Sequence, residues 1–254
     1  MDVKTASRVF EVFNLFAEVR KPLIYSEIAR QLDIPLSSCH ALLKTMVSHG
    51  YLYAPGIRAG YYPTQRMLHV AQAICSVDPL ISLFTPLLIT LRDLTRETAV
   101  LAKLANDQVV YLNVVESGQT IRYSHEPGGF KFLHATASGK ALLSALPSAA
   151  RTKMLNGYKH WDPITPQTTV NRADLEADLL AGEKRGWQRS YGENVEDVMA
   201  IARGFRLQEE VFCFVVAGPL QRIQRHEQAI ADAITVVEGQ IPRELLLPVQ
   251  SKNK

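Results

Sequence analysis

The sequence predicts an α/β (α+β) protein with an N-terminal winged helix-turn-helix, a linker helix and a C-terminal domain built on a largely antiparallel sheet. Three observations predict this. The first 50 residues carry apolar side chains at helical spacing in three short runs, and an aromatic hairpin pattern follows. A helical run that ends at Asp78-Pro79 then marks a boundary. Beyond it, strands joined by polar turns alternate with helices, which is typical of helices grouped around a sheet of hairpins.

Composition excludes a disordered, collagen-like or low-complexity chain, because 47% of the 254 residues are hydrophobic and 21% are charged. That length allows one large domain or two modest ones. The net charge of +3 lies in residues 1–76, which hold eight Lys or Arg against five Asp or Glu, whereas the remainder is balanced. This asymmetry suggests an acidic partner such as nucleic acid for the first third, with chance as the alternative.

The cysteines and the N-terminus indicate a reducing, cytoplasmic setting. Cys39, Cys75 and Cys213 are odd in number and far apart, so no disulfide framework and no metal-ligand spacing is evident. We therefore expect no metal and no cofactor. No signal-peptide pattern begins the chain, and the longest apolar run, residues 79–91, is too short to span a membrane.

The first helix is predicted from apolar residues at three- and four-residue spacing, namely Val9, Val12, Phe13, Phe16 and Val19. Ser7 is its candidate cap and Lys21-Pro22 its end. A second helix is predicted from a cap at Ser26 to a break at residues 33–35. A third begins near Ser37-Ser38 and ends at Gly50, which we expect in the left-handed conformation.

Aromatic residues 51–53 and 61–62 flank a Gly/Pro loop and predict a β-hairpin ended by Pro63. The linker helix follows over residues 64–76. Met67, Leu68, Ala71 and Ile74 recur on one of its faces, which makes that face a candidate dimer seam.

The later elements are predicted by the same patterns. Helices are expected at 79–97, 138–146, 148–156, 172–185 and 223–240. Strands are expected at 98–104, 108–116, 120–125, 198–206 and 211–218, with hairpin turns at Asn106-Asp107 and near 208–210.

A winged helix-turn-helix suggests DNA binding, because the major groove is about 12 Å wide and admits one helix. In this motif the first helix lies across the DNA backbone, and the hairpin, or wing, can reach phosphates or the minor groove. Hydroxyls, a helix N-terminus and scattered cations suit phosphate oxygens. The candidate DNA-contacting residues are Lys4, Arg8, Ser26, Ser37, Ser38, His40, Lys44 and Arg58. Helix capping is the alternative role for Ser37 and Ser38, and simple exposure to solvent is the alternative for His40.

Two motifs resemble the isocitrate-lyase-regulator (IclR) family of bacterial transcription factors. The first is Ile24-Tyr25-Ser26-Glu27-Ile28-Ala29 with the following Ile34-Pro35-Leu36-Ser37-Ser38-Cys39-His40-Ala41-Leu42-Leu43. The second is Leu133-His134-Ala135-Thr136-Ala137-Ser138-Gly139-Lys140-Ala141-Leu142-Leu143, with Gly186-Trp187 and Gly218-Pro219 further on. The chain departs from the family pattern at Leu36 and Ala41, where basic residues are common. Lys44 is therefore the only Lys or Arg of the third helix, residues 37–49, which would be the helix that reads the major groove.

The resemblance implies a DNA-binding domain over residues 1–63, a linker helix over 64–78 and a GAF-like effector-binding domain over 79–247. It also implies a small organic acid as effector, a double-stranded DNA operator and a homodimer or homotetramer. The amides of Ala137 and Ser138 would face the acid, and a helix N-terminus can hold a carboxylate without arginine. Coupling between effector and DNA would run through the linker helix.

Strand alternation places the other candidate effector contacts. Val198, Ala200 and Ala202 share one strand face, and Cys213, Val215 and Ala217 share another. Such a pocket is apolar, so an aromatic or longer carboxylic acid fits better than a two- or three-carbon acid. The full candidate set is Tyr123, Phe130, Phe132, Ala137, Ser138, Ser190, Val198, Ala200, Cys213, Val215 and Ala217. The alternative is that the small apolar residues are only sheet core.

An enzyme is not expected. Ser138 and His134 lack a third orienting acid, and no nucleophile-elbow or phosphate-loop motif occurs. The acidic loop of Glu193, Glu196 and Asp197 is a candidate pocket lid, or else a solvated surface. The competing function is a small-molecule binding protein whose winged helix contacts proteins; only DNA binding would weaken steeply with salt.

Overall fold

The computed structural model describes residues 3–54, 60–75 and 77–245. They divide into two compact units, one ending at Asp78 and the other beginning at Pro79. Each unit is described by itself.

The N-terminal unit opens with three helices, α1 (Lys4–Val19), α2 (Tyr25–Gln31) and α3 (Leu36–Ser48). They bury one shared core of Val12, Phe16, Ile28, Ala29, Cys39, Leu42, Leu43 and Met46. Both predicted serine caps are wrong. The helix α1 begins one turn before Ser7, and Ser26 lies inside the first turn of α2, where the N–H of Ile24 donates to the Glu27 carboxylate over 2.9 Å. Gly50 is left-handed as predicted, with φ +75°.

The predicted hairpin forms from β1 (Leu52–Tyr53) and β2 (Tyr62–Pro63), which pair antiparallel. Pro63 is the last residue of β2 and pairs with Leu52, so it lies within the hairpin. The helix α4 (Arg66–Cys75) follows and buries none of its residues. Residues 55–59 lie outside the described residues, and the candidate DNA contact Arg58 is among them.

The C-terminal unit begins with α5 (Pro79–Thr95) and contains a six-stranded sheet. Its strands are β3 (Thr98–Ala105), β4 (Gln108–Val115), β5 (Phe130–Phe132), β6 (Gln188–Tyr191), β7 (Val198–Leu207) and β8 (Glu210–Pro219). Their spatial order is β5-β4-β3-β8-β7-β6, and every neighbouring pair is antiparallel. The predicted antiparallel sheet is therefore confirmed.

Helices cover both faces of this sheet and make a three-layer unit. They are α6 (Ala137–Ala145), α7 (Ser148–Gly157), α8 (Arg172–Arg185), α9 (Leu220–Arg225) and α10 (Glu227–Glu238), with a 3₁₀ turn at Arg243–Leu245. One face packs on α5, α9 and α10 through residues such as Phe84, Ile223 and Ile234. The other packs on α6, α7 and α8 through residues such as Leu142 and Leu175. The sheet is therefore held between two apolar layers, one on each face.

Two predicted elements differ, and two strands were missed. Residues 120–125 form no strand; side-chain bonds from Thr98 and Arg222 to the carbonyls of Tyr123 and Ile121 hold the backbone instead. The single closing helix is two helices, because the chain breaks at His226 (φ −121°). The two short edge strands of the sheet, β5 and β6, were not predicted.

Candidate functional site

The first candidate surface is the exposed side of α3. Ser37, Ser38, His40 and Lys44 are all exposed on it, while Cys39 and its apolar neighbours hold the helix against α2. A single left-handed residue lies in the turn between the two helices, Asp33 (φ 50°). The α3 face thus presents short hydroxyls, one imidazole and one ammonium to a partner.

The other N-terminal candidates lie nearby in sequence on α1 and α2. Lys4 and Ser26 are exposed, and Arg8 is half-buried. The Tyr25 ring, 45% exposed, meets the His40 ring edge-on with centroids 6.1 Å apart. His40 lies in the N-terminal half of α3, the part of a groove-reading helix that makes base contacts, and the Tyr25 ring packs against its side chain there.

The second candidate site begins at the N-terminus of α6. The hydroxyl of Thr136 accepts a hydrogen bond from the N–H of Gly139 over 3.0 Å and donates to the carbonyl of Phe132 over 2.9 Å. The Ser138 hydroxyl donates to Thr136 Oγ1 over 3.1 Å. The cap leaves the N–H groups of Ala137 and Ser138 as the first open donors of the helix, and such donors favour an anion.

A cleft opens in front of these donors. The cleft is narrow: its cavity volume is about 20 Å³, within a void of about 330 Å³ that includes open solvent. Its lining consists of Tyr111, Tyr123, Thr136, Ala137, Ser138, Ser190, Asn194, Val195, Val198, Ala200, Val215 and Ala217. No charged side chain is among these described lining residues, so the helix N-terminus is the local source of positive potential.

The back wall of the cleft is one row across three strands. Ser190 on β6 lies opposite Ala200 on β7, and Ala200 lies opposite Ala217 on β8. These side chains are small, so the back wall projects little into the cleft. Burial raises the pKa of both Tyr111 and Tyr123, which keeps their phenols neutral and able to donate.

Eight of the eleven candidate effector residues therefore line this cleft, and three do not. Phe130 is 59% exposed on the edge strand β5. Phe132 packs on His134 and His160, away from the lining. Cys213 is fully buried beneath the cleft, with its Sγ 3.8 Å from the carbonyl oxygen of Ser138.

A buried hydrogen-bond network supports the segment that leads into α6. His134 Nε2 lies 3.1 Å from the Asp162 carbonyl oxygen, and its Nδ1 lies 2.8 Å from the Tyr158 hydroxyl. That hydroxyl also accepts the N–H of Leu133 over 3.2 Å. A carbonyl only accepts, so Nε2 carries the proton and Tyr158 donates to Nδ1. Burial lowers the pKa of His134, in agreement with a neutral ring.

The acidic loop after β6 forms one side of the cleft through Asn194 and Val195. Glu193 is buried and bonded to Lys140, whereas Glu196 and Asp197 are exposed. Burial raises the pKa of Glu193 even though Lys140 opposes that shift.

Comparison with protein families separates two matched segments that together cover most of the chain. Residues 5–56 match the IclR helix-turn-helix domain, and residues 72–241 match the bacterial transcriptional regulator IclR C-terminal domain. The chain belongs to the IclR family.

Individual IclR relatives match over most of their length. The transcriptional regulator BhcR of Paracoccus denitrificans is 28% identical over 235 residues, which cover 91% of this chain and 84% of that protein. The transcriptional repressor IclR of Escherichia coli K12 is 26% identical over 225 residues, which cover 87% of this chain and 82% of that protein.

Solved structures of similar proteins share the fold. A regulator from Rhodococcus sp. RHA1 superimposes with a TM-score of 0.76 at 21% identity, covering 96% of this chain and 98% of that one. An IclR homologue from Microbacterium hydrocarbonoxydans, solved as a complex with 4-hydroxybenzoate, gives a TM-score of 0.68 at 22% identity. The match covers 93% of this chain and 100% of that one. At these identities the likeness shows the fold alone.

Sequence reasoning missed four residues of the lining: Tyr111, Thr136, Asn194 and Val195. Tyr111 could have been found, because it follows Val109 at strand spacing and turns to the same face. Thr136 stands directly before the family motif's helix. Asn194 and Val195 follow Glu193, which bonds to Lys140 53 residues earlier, and no local pattern signals that contact.

Among the described residues, no group of three or more His, Cys, Asp or Glu could hold a metal ion. No single described helix is long and apolar enough to cross a membrane, although α4 and α5 taken together have the length and apolar composition for it.

Proposed function

We propose that this IclR-family chain is a ligand-responsive regulator that binds an operator through α3 and a carboxylic acid in the cleft of its C-terminal unit. The cleft carries the proposal: open N–H groups of Ala137 and Ser138 face an uncharged wall of small and aromatic residues. A carboxylate would bind the helix N-terminus, and an apolar body would cover Ala200 and Ala217.

The effector class follows from the lining. Two- and three-carbon acids would leave the row of small apolar residues uncovered, so we propose an aromatic or otherwise apolar acid as the effector. We propose a catabolic operon as the regulated target. The hydroxyls of Tyr111 and Tyr123 add donors for a second polar group on the ring. The relative solved with 4-hydroxybenzoate supports this choice, because that ligand combines a carboxylate, an aromatic ring and a hydroxyl.

A homodimer or homotetramer is part of the proposal. Two reading helices about 34 Å apart would match a pseudo-palindromic operator. Within the N-terminal unit, Leu68 and Ile74 on α4 are 53% and 65% exposed, and Val77 just beyond it is 72% exposed. We infer that these exposed apolar side chains take part in the interaction surface of the oligomer. Sedimentation equilibrium of the wild type and of Leu68→Glu tests it.

The test of function combines two titrations. First, the DNA upstream of the coding region is titrated with protein at several salt concentrations, with and without ligand. Second, melting shifts are measured with benzoate, 4-hydroxybenzoate, phenylacetate, hexanoate, pyruvate and glyoxylate. We expect salt-sensitive DNA binding and a shift from at least one aromatic acid but not from glyoxylate. Absence of any retardation at low salt would contradict operator binding, and a panel without any aromatic response would contradict the effector class.

A further inference from the structure

The ammonium group of Lys140 is completely buried in the C-terminal unit. Its Nζ donates to Asp178 Oδ2 over 2.6 Å, to Glu193 Oε1 and Oε2 over 2.7 and 2.6 Å, and to the carbonyl oxygen of Arg189 over 3.3 Å. An ammonium has three donors, and these partners engage all of them. A buried charge is tolerated only when it is paired and bonded in this way.

The partners of Lys140 lie next to the walls of the cleft. Lys140 itself stands one turn after Ala137 on α6. Arg189 precedes the lining residue Ser190 on β6, and Glu193 precedes the lining residues 194–195. One ammonium therefore joins α6, β6 and the loop of residues 192–197, the three elements that meet around the α6 N-terminus.

The same loop is held from its other side by two threonines. Thr165 Oγ1 donates to the Gly192 carbonyl over 2.7 Å, and Thr168 Oγ1 donates to the Glu193 carbonyl over 2.6 Å. Gly192 is left-handed (φ 66°), and a β-carbon there would lie 2.8 Å from the Glu196 carbonyl oxygen. The loop is thus a tight turn whose one buried side chain, Glu193, points inward to Lys140.

We propose that Lys140 is a positioning residue for the effector cleft: through Glu193 it holds the 192–197 loop beside the α6 N-terminus, so that Asn194 and Val195 close one side of the bound acid. The inference rests on the proposed function of the cleft. The two carboxylates on Lys140 differ in role. Glu193 belongs to the loop, whereas Asp178 lies on α8, is 31% exposed and belongs to no wall of the cleft.

This difference supplies a matched pair of variants, Glu193→Gln and Asp178→Asn, each of which removes one negative charge from the same ammonium. Hydrogen exchange of the full-length protein without any added acid reports the loop directly. We expect Glu193→Gln to speed exchange in residues 192–198 by at least about tenfold while β7 and β8 keep wild-type rates. Asp178→Asn should change the loop by less than about threefold.

Calorimetric titration with 4-hydroxybenzoate gives the second readout. We expect Glu193→Gln to weaken binding by about tenfold and Asp178→Asn to weaken it by less than about threefold. If Glu193→Gln does not fold, Glu193→Asp replaces it, because the shorter side chain keeps the charge but moves it back from Lys140. The same loop-specific rise in exchange is expected.

The inference would be overturned if the two substitutions had equal effects, or if faster exchange spread through α6, β7 and β8. Lys140 would then be only a general structural partner of the two carboxylates. The outcomes are separable from those of the proposed function. If the wild type binds no acid of the panel, the effector proposal fails, while the exchange comparison still decides whether Lys140 positions the loop.

Discussion

The backbone of Gly139 in α6 runs so close to Leu133 that a β-carbon at position 139 would overlap the carbonyl oxygen and the α-carbon of Leu133. Only glycine allows this approach. It brings the start of α6 against the 133–136 segment, and Thr136 can then cap the helix and leave the next two N–H groups open to the cleft.

We therefore expect Gly139→Ala to lower the free energy of unfolding of the C-terminal unit by about 1–3 kcal/mol, since backbone must move to admit the methyl group. Urea unfolding followed by tryptophan fluorescence measures this, because both tryptophans of the chain, Trp161 and Trp187, lie in that unit. Gly157→Ala is the control. It is the last residue of α7, nothing lies within 4 Å of its added β-carbon, and the substitution should be neutral or slightly stabilising. Equal destabilisation by the two variants would contradict the steric argument.

The neutral ring of His134 predicts a pH dependence. Burial lowers its pKa below the ordinary 6.5. The stability that comes from keeping the ring neutral is therefore complete above about pH 6.5 and is lost as the pH falls through the lower folded-state pKa. His134→Gln keeps one donor and one acceptor but does not titrate. We expect the difference in unfolding free energy between wild type and His134→Gln to shrink from about pH 7.5 to about pH 5.5.

Urea titrations of both proteins at matched pH values check this, and parallel curves over the range would contradict it. Tyr158→Phe is the companion variant. It removes the hydroxyl shared by Leu133 and His134 and should cost about 1–3 kcal/mol at neutral pH, because it leaves buried polar groups without partners.

The exposed ammonium group of Lys44 on α3 predicts a contribution to the salt dependence of DNA binding. If Lys44 contacts one phosphate, Lys44→Ala should lower the magnitude of the slope of log affinity against log salt by about 0.9. The loss should be similar on upstream DNA and on unrelated DNA, because a phosphate contact carries no sequence information. Fluorescence anisotropy at several salt concentrations measures both. Lys184→Ala, an exposed position in the C-terminal unit, is the control, and an unchanged slope in Lys44→Ala would place Lys44 away from the phosphates.

The periodicity of apolar residues predicts those features of the fold that depend on residues close together in the sequence. Alternation predicts the faces of β7 and β8 on which Ala200 and Ala217 lie, whereas the row that joins the two residues depends on the register of the β7–β8 pair. The 117–125 segment could not be predicted in this way. The N–H of Ser117 donates to Thr98 Oγ1 over 3.1 Å, and that hydroxyl donates to the Tyr123 carbonyl over 2.6 Å. These partners lie about 20 residues apart, so a strand-like pattern there carried no information about the loop that brings Tyr123 to the cleft.

Two substitutions can separate the backbone donors from the hydroxyl donors at the α6 N-terminus. Ala137 is the first helical residue, a position that proline favours, and the preceding Thr136 is extended (φ −133°, ψ 146°), as a residue before proline must be. Ala137→Pro therefore removes one N–H from the cleft at little expense to the helix, whereas Ser138→Ala removes a hydroxyl and keeps its N–H. If the carboxylate binds the helix N-terminus, Ala137→Pro should weaken benzoate binding by about tenfold or more, as expected for a lost charge-assisted bond, and Ser138→Ala should weaken it much less. Calorimetric titration of both variants decides between them. The reverse order would assign the acid to the hydroxyls of Thr136 and Ser138, and DNA affinity without ligand should be the same in both variants and the wild type.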